Sequence, residues 1–251
     1  MYSALLVIIY LAFISLGLPD TLLGSAWPQM HIELNASLSS AGIITMIISM
    51  GTVISSLFSD RLNIKLGTGK VTAISVLMTA VALLGFSLSH SFIILCVLAV
   101  PYGLGAGAVD AALNNYVALH YSSKHMSWLH CFWGVGASIG PYIIGTCMAH
   151  GLGWRGGYSV ISVLQFTLTA ALFITLPLWK KVENSENNVI NGNNERTQEE
   201  PQERKAKSLS EVLHIKGVIY ILFAFFCYSA VEQTTTLWCA SYLVLNRSID
   251  S

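Results

Sequence analysis

Charge is what this sequence has least of. Its 251 residues include 13 lysines and arginines and 13 aspartates and glutamates, 10% of the chain, where a soluble domain carries about a quarter. Those few charges gather in short stretches and leave long runs with none. The composition is 54% hydrophobic with a mean hydropathy of +0.62, which excludes an ordinary soluble core and fits a polytopic membrane protein. The formal net charge is zero, so nothing points to nucleic acid as a partner. Cysteine is also sparse: Cys96, Cys131, Cys147, Cys227 and Cys239 all lie inside apolar runs, where cysteine behaves as a small hydrophobe. They form neither a disulfide framework nor a metal-ligand spacing, and no cofactor motif is present. The first apolar run lacks a basic leader and a small-x-small cleavage site. It therefore reads as a first transmembrane helix and not as a removed signal peptide.

What is present is apolar length. A membrane-crossing helix needs about 20 mostly apolar residues, and seven segments qualify: roughly 4–28, 40–59, 71–89, 92–119, 128–149, 157–179 and 217–244. The runs are too long for strands and show no alternation of period two. Lipid requires each segment to satisfy its own backbone, which also selects helices. With a cytoplasmic N-terminus, eleven basic residues fall inside (Arg61, Lys65, Lys70, Lys124, Lys180, Lys181, Arg196, Arg204, Lys205, Lys207 and Lys216) and only Arg155 and Arg247 outside. The positive-inside bias thus sets the orientation in the cell membrane. The stretch 180–216 has no aromatic residue before Ser208 and abounds in Asn, Glu, Gln and Lys. It is expected to be a cytoplasmic linker that buries too little to order itself, with a capping-box spacing at Ser208 and Glu211 near its end. The expected organisation is a six-helix bundle over 1–179, the linker over 180–216, and a seventh helix over 217–251.

Four ionisable residues sit well inside the spans: Asp20, Asp110, His130 and Glu232. A charge at helix centre costs at least ~3 kcal/mol on insertion scales, so each is expected to face a cavity, hold a partner or take up a proton. Pro19 precedes Asp20, and the carbonyl it frees near Ser15 must find another partner. The apolar run continues beyond them to Trp27, read as an interfacial belt residue. Asp110 and Asn114, four apart, share a helix face, and Asn115 is turned about 100° from it. These groups suit either the grip of a hydroxyl-bearing solute or plain interhelical bonding. Gly103, Gly107 and Ala111 make a flat packing face. In the fifth span, His130 and Trp133 precede Gly136, Gly140 and Pro141, a close-packed segment that proline allows to bend. His130 is a candidate proton acceptor, a pocket lining or a structural histidine. Glu232 has no evident cationic partner, so it faces water or carries a proton.

Three motifs carry a resemblance to the major facilitator superfamily of transporters. "SDRLNIKLGTGK" resembles the superfamily's signature after the second helix, through Asp60, Arg61, Gly67 and Lys70, although Ser56 stands where glycine is expected. "GVGASIGPYIIG" resembles the fifth-helix signature. "GWRGGY" resembles the entry to the sixth helix, with Trp154, Arg155 and Tyr158. Within the superfamily the chain is similar to the fucose permease-like sugar:proton symporters, on Asp20, on Asp110-x-Ala112-x-Asn114, and on Tyr228, Glu232, Trp238, Tyr242 and Leu243. Their fourth-helix acid is commonly glutamate, one methylene longer than Asp110. The resemblance implies alternating access around a site at the bilayer midplane, built from inverted three-helix repeats. It implies a sugar or similar polar solute bound by Asp110, Asn114, Asn115, His130, Trp133 and Glu232. Proton coupling would fall to Asp20 and Asp110, and gating or packing to Asp60, Arg61, Gly136, Gly140 and Pro141. The superfamily's second bundle would be represented here by one helix, so a truncated or fragmentary chain with a separate second half is expected. A seven-helix receptor is the alternative, but it requires an external N-terminus, and a retinal protein would need a lysine in the seventh span. An intramembrane aspartyl protease would need a Gly-x-Gly-Asp context that neither aspartate has.

Overall fold

A computed structural model describes residues 2–194, 211 and 213–247, and among these the chain is helical throughout its spans with no strand. The long helices are α1 (Tyr2–Asp20), α2 (Leu22–Glu33), α3 (Ser40–Leu66), α4 (Thr68–Leu88), α5 (Phe92–His120), α6 (Ser123–Ala149), α7 (Gly153–Asn194) and α8 (Val218–Arg247). Seven spans are long and apolar enough to cross a membrane, the first made of α1 and α2 together. The chain is thus an all-α membrane bundle.

Three boundaries differ from the sequence reading. The first span is broken at Thr21, immediately after Pro19 and Asp20. Helix α3 runs on through Asp60 and Arg61 to Leu66, so the expected loop signature is mostly helix. Nothing between Ser59 and Leu66 breaks a helix, and the turn is made at Gly67, whose φ of 81° lies in the region glycine alone enters freely. Helix α7 continues to Asn194, past the end of its apolar stretch, although the composition from Lys180 onward argued against order. The pairing foreseen at Ser208 and Glu211 lies partly outside the described residues.

Helix packing has an internal symmetry. Span 1 packs on span 5 (α1 on α6), span 4 on span 2 (α5 on α3), and span 3 on span 6 (α4 on α7). Exchanging spans 1–3 with spans 4–6 maps these three pairings onto one another, whereas the extensive packing of span 3 on span 4 has only a slight counterpart between spans 6 and 1. Both crossed seams are lined by glycine, because lipid offers no hydrophobic drive between helices and close backbone contact supplies the attraction. At the α1–α6 seam a Cβ on Gly136 would lie 2.1 Å from the Ile14 carbonyl oxygen, and one on Gly140 2.2 Å from that of Leu18. At the α3–α5 seam a Cβ on Gly103 would lie 2.3 Å from the Ile48 oxygen.

One end of the bundle is tied across its loops. Glu33 accepts from the Trp154 indole at 3.0 Å and pairs with Arg155, whose guanidinium also donates to the Ser89 carbonyl and lies over the Trp154 ring. Trp27, read from the sequence as a belt residue, is instead fully buried, donating to the Leu38 carbonyl at 2.7 Å. It belongs to the buried face of α2, with Leu23, Ala26 and Met30. Helix α8 rests on α2 at this same end, where a Cβ on Gly24 would meet the Thr236 carbonyl oxygen at 2.1 Å. Much of the remaining surface of α8 is apolar and exposed, including Phe223 and Phe226.

Candidate functional site

The first carboxylate stands at the junction of α1 and α2, one residue after Pro19. Asp20 is the last residue of α1 and its side chain is exposed to a central cavity. The Trp133 indole of α6 donates to Oδ2 at 2.9 Å, and the Tyr102 hydroxyl of α5 donates to Oδ1 at 3.3 Å. One carboxylate therefore joins three helices. Thr21, next in sequence, donates to the Ala137 carbonyl of α6 at 3.0 Å. That carbonyl has no helical partner because Pro141, four residues on, has no N–H. The bend that Pro141 permits in α6 is thus pinned to the break beside Asp20.

The cavity has a volume of about 700 Å³, within the range of small-molecule sites. Asp20, Asp110, His130, Trp133 and Glu232 all line it, so five of the residues singled out from the sequence meet at one place. Glu232 and its neighbour one turn earlier, Tyr228, face it from α8. The remainder of the wall is aromatic and hydroxylic, with Phe86, Tyr102, Tyr158, Thr45 and Thr52 among it. No lysine or arginine contributes to the described lining.

The structure separates the two asparagines. Asn114 donates to Asp110 Oδ1 at 3.0 Å and stands beside the cavity carboxylate. Asn115 is exposed and donates instead to Asp60 of α3 at 3.4 Å, well along the helix from the cavity. Neither asparagine is among the residues lining the cavity, and the one-residue rotation between them turns Asn115 toward α3 while Asn114 stays with Asp110. Arg61, beside Asp60, is exposed with its guanidinium 5.9 Å from the Phe58 ring. Gly136 and Gly140 sit on the α1 seam, and Pro141 lies inside an α6 that stays helical through it.

Three participants escaped the sequence reading, Tyr102, Thr21 and Gln165, and Tyr158, read there as part of the sixth-helix entry, also lines the cavity. Gln165 is the amide embedded in the apolar run "VISVLQFTLTAAL", a visible signal. Its Nε2 donates to the Ser15 carbonyl at 2.7 Å, and its Oε1 accepts from the Ser15 hydroxyl. The partner that Pro19 made necessary is therefore this side chain. Tyr102 carried no such signal, since tyrosine is common in spans of any role.

A bundle of seven apolar helices with a carboxylate-lined cavity among them is the architecture of a polytopic membrane protein. The chain matches the Major Facilitator Superfamily over residues 9–249 and belongs to that family. It is 25% identical over 116 residues to an uncharacterized transporter, y4wD, of Sinorhizobium fredii (strain NBRC 101917 / NGR234), covering 45% of this chain and 31% of that protein. It is 24% identical over 178 residues to synaptic vesicle glycoprotein 2B of Rattus norvegicus, covering 68% of this chain and 26% of that protein. The matched stretches thus span less than a third of either relative.

Proposed function

We propose that this chain moves a sugar or a similar small, polar, uncharged solute by alternating access, coupled to protons, in a cell membrane with its N-terminus in the cytoplasm. The observation that carries the reading is the cavity itself, with three carboxyl groups, aromatic faces and hydroxyls but no described cation. Aromatic faces and carboxylates suit a polyhydroxylated solute: rings cover its apolar faces while carboxylates accept from its hydroxyls. Membership of the superfamily supports transport at the coarser level. Seven spans and the basic bias of the intervening segments support the orientation.

The bonding divides the two aspartates. Both oxygens of Asp20 already accept from protein donors, whereas Asp110 has a described bond only from its helix neighbour Asn114. Asp20 is therefore assigned the coupling proton and Asp110 the solute, with His130 and Glu232 completing the wall. A second bundle, on this polypeptide or another, closes the side on which α8 presents its bare face. The test is uptake in energised membrane vesicles: solute accumulation that collapses when a protonophore is added. Accumulation indifferent to the proton gradient removes the coupling.

Two further outcomes follow. Uronates and sugar phosphates compete at least about tenfold more weakly than their neutral parents, because a carboxylate-lined site repels a like charge. Equal competition in an uptake assay counts against the neutral-solute reading. A periplasmic-type phosphatase fused in the 34–39 turn is active and one fused in the 121–122 turn is silent; the reverse pattern overturns the orientation.

A further inference from the structure

In an α-helix the carbonyl of residue i bonds the N–H of residue i+4. Ser15 is denied that bond by Pro19, and its carbonyl would stand orphaned inside the bundle, since Ser15 is only 8% exposed. Gln165 of α7, itself 2% exposed, meets it with its amide N–H while accepting the Ser15 hydroxyl with its amide oxygen. Both polar groups of one side chain are consumed by one residue on another helix. Leucine at 165 satisfies neither, and glutamate has no donor for the carbonyl unless protonated.

The next residue after Pro19 is Asp20, at which α1 stops. We propose that Gln165 is the positioning residue for Asp20: by holding the Pro19 break it fixes where the carboxylate leaves the helix and meets Trp133 and Tyr102. The assignment rests on the proton-coupling role given to Asp20 above. Gln165 is not part of the cavity lining, so it acts through the backbone of α1 and not by touching a solute. Other titratable groups share the cavity with Asp20: Tyr102 and Asp110 from α5, His130 from α6, Tyr158 from α7, and Tyr228 and Glu232 from α8. Helices α3 and α4 contribute Thr45, Thr52, Leu83 and Phe86, none of which titrates. None of them is removed when only residue 165 is changed, so the titration of Asp20 is read against the same set of ionisable neighbours.

The experiment is a double-mutant cycle in the full chain, with Gln165→Leu, Pro19→Ala and the two combined. Alanine at 19 restores the N–H that Ser15 needs, so the double variant has no use for the glutamine. Thermal unfolding in detergent reads the bond: Gln165→Leu lowers the midpoint sharply, and adding Pro19→Ala returns at least half of the loss. Additive losses, or a double variant that fails to fold, overturn the proposal. The titration of Asp20 is read from its carboxyl infrared band, assigned by Asp20→Asn. In folded Gln165→Leu the titration midpoint moves by about one pH unit, a tenfold change in proton affinity. In the double variant it stays displaced although stability has returned, because the break itself is gone. A purely structural glutamine gives recovery of stability with an unmoved midpoint, and that result overturns the positioning role. Proton-driven uptake by the unmodified protein is measured separately. If it is absent while cycle and titration behave as described, the transport reading falls and the assignment of Gln165 to Asp20 stands.

Discussion

Asp20→Asn abolishes proton-driven accumulation of solute and leaves solute exchange across the membrane intact. Asparagine preserves the outline of the side chain, and its oxygen still accepts from Trp133 or Tyr102, each of which bonds Asp20. The bond that is lost was to a charged acceptor, and the neutral replacement is weaker by about 1 kcal/mol, too little to unfold the bundle. What asparagine cannot do is carry a charge in one state and lose it in another. An ionised carboxyl closed off from water costs at least ~3 kcal/mol near the bilayer centre. Under the proposed coupling, that penalty keeps an unprotonated carrier from passing through its closed state. With the charge permanently removed, the empty carrier crosses freely and the proton gradient no longer drives it. Counterflow measured beside net uptake in proteoliposomes distinguishes the outcomes. Retained net accumulation removes Asp20 from the coupling role, and loss of both activities points to damage of the fold.

Gly136→Ala removes most of the folded protein, whereas Gly145→Ala in the same helix leaves it unaffected. At Gly136 a Cβ would lie 2.1 Å from the backbone oxygen of Ile14, and around Gly145 nothing stands within 4 Å. The obstacle at 136 is backbone and cannot rotate aside, so α1 and α6 must separate. Overpacking costs about 1–3 kcal/mol even where side chains can adjust, and here the whole seam shifts, including the Trp133–Asp20 bond. At Gly145 the helix gains a better former, and stability rises by up to about 1 kcal/mol. Gly103→Ala is expected to match Gly136→Ala, because a Cβ there would lie 2.3 Å from the Ile48 backbone oxygen across the α3–α5 seam. Size-exclusion profiles and thermal midpoints in detergent provide the comparison. Equal behaviour of the 136 and 145 variants contradicts the close-packed seam.

The bundle was legible in the sequence because the physics that selects it is blunt. Long uncharged runs force helices, and the cost of a charge within them singles out Asp20, Asp110 and Glu232 without reference to neighbours. Positions that depend on angle were less accessible. Asn115 was grouped with Asn114 by adjacency, yet one residue is enough to aim it at Asp60. Trp27 was placed at the interface by residue type, and only the packing of α2 shows that it is buried, with its indole on the Leu38 carbonyl. The end of α3 was misread because polar and basic residues near the membrane surface look like loop, although none of them stops a helix before Gly67. Pro19 announced an orphaned carbonyl, but the identity of the donor lay on another helix. No local pattern connects Ser15 with Gln165.

Proline breaks met by side chains from other helices have an evolutionary consequence. Pro19 depends on Gln165, and Pro141 on Thr21. Each proline tolerates only those substitutions at its distant partner that still donate a hydrogen bond, and each partner becomes replaceable by an apolar residue once the proline is lost. Among descendants of an ancestral sequence of this kind, positions 19 and 165 are expected to vary together, as are 21 and 141. Prolines and donors would be gained and lost as pairs, in an order that leaves the donor present whenever the proline is.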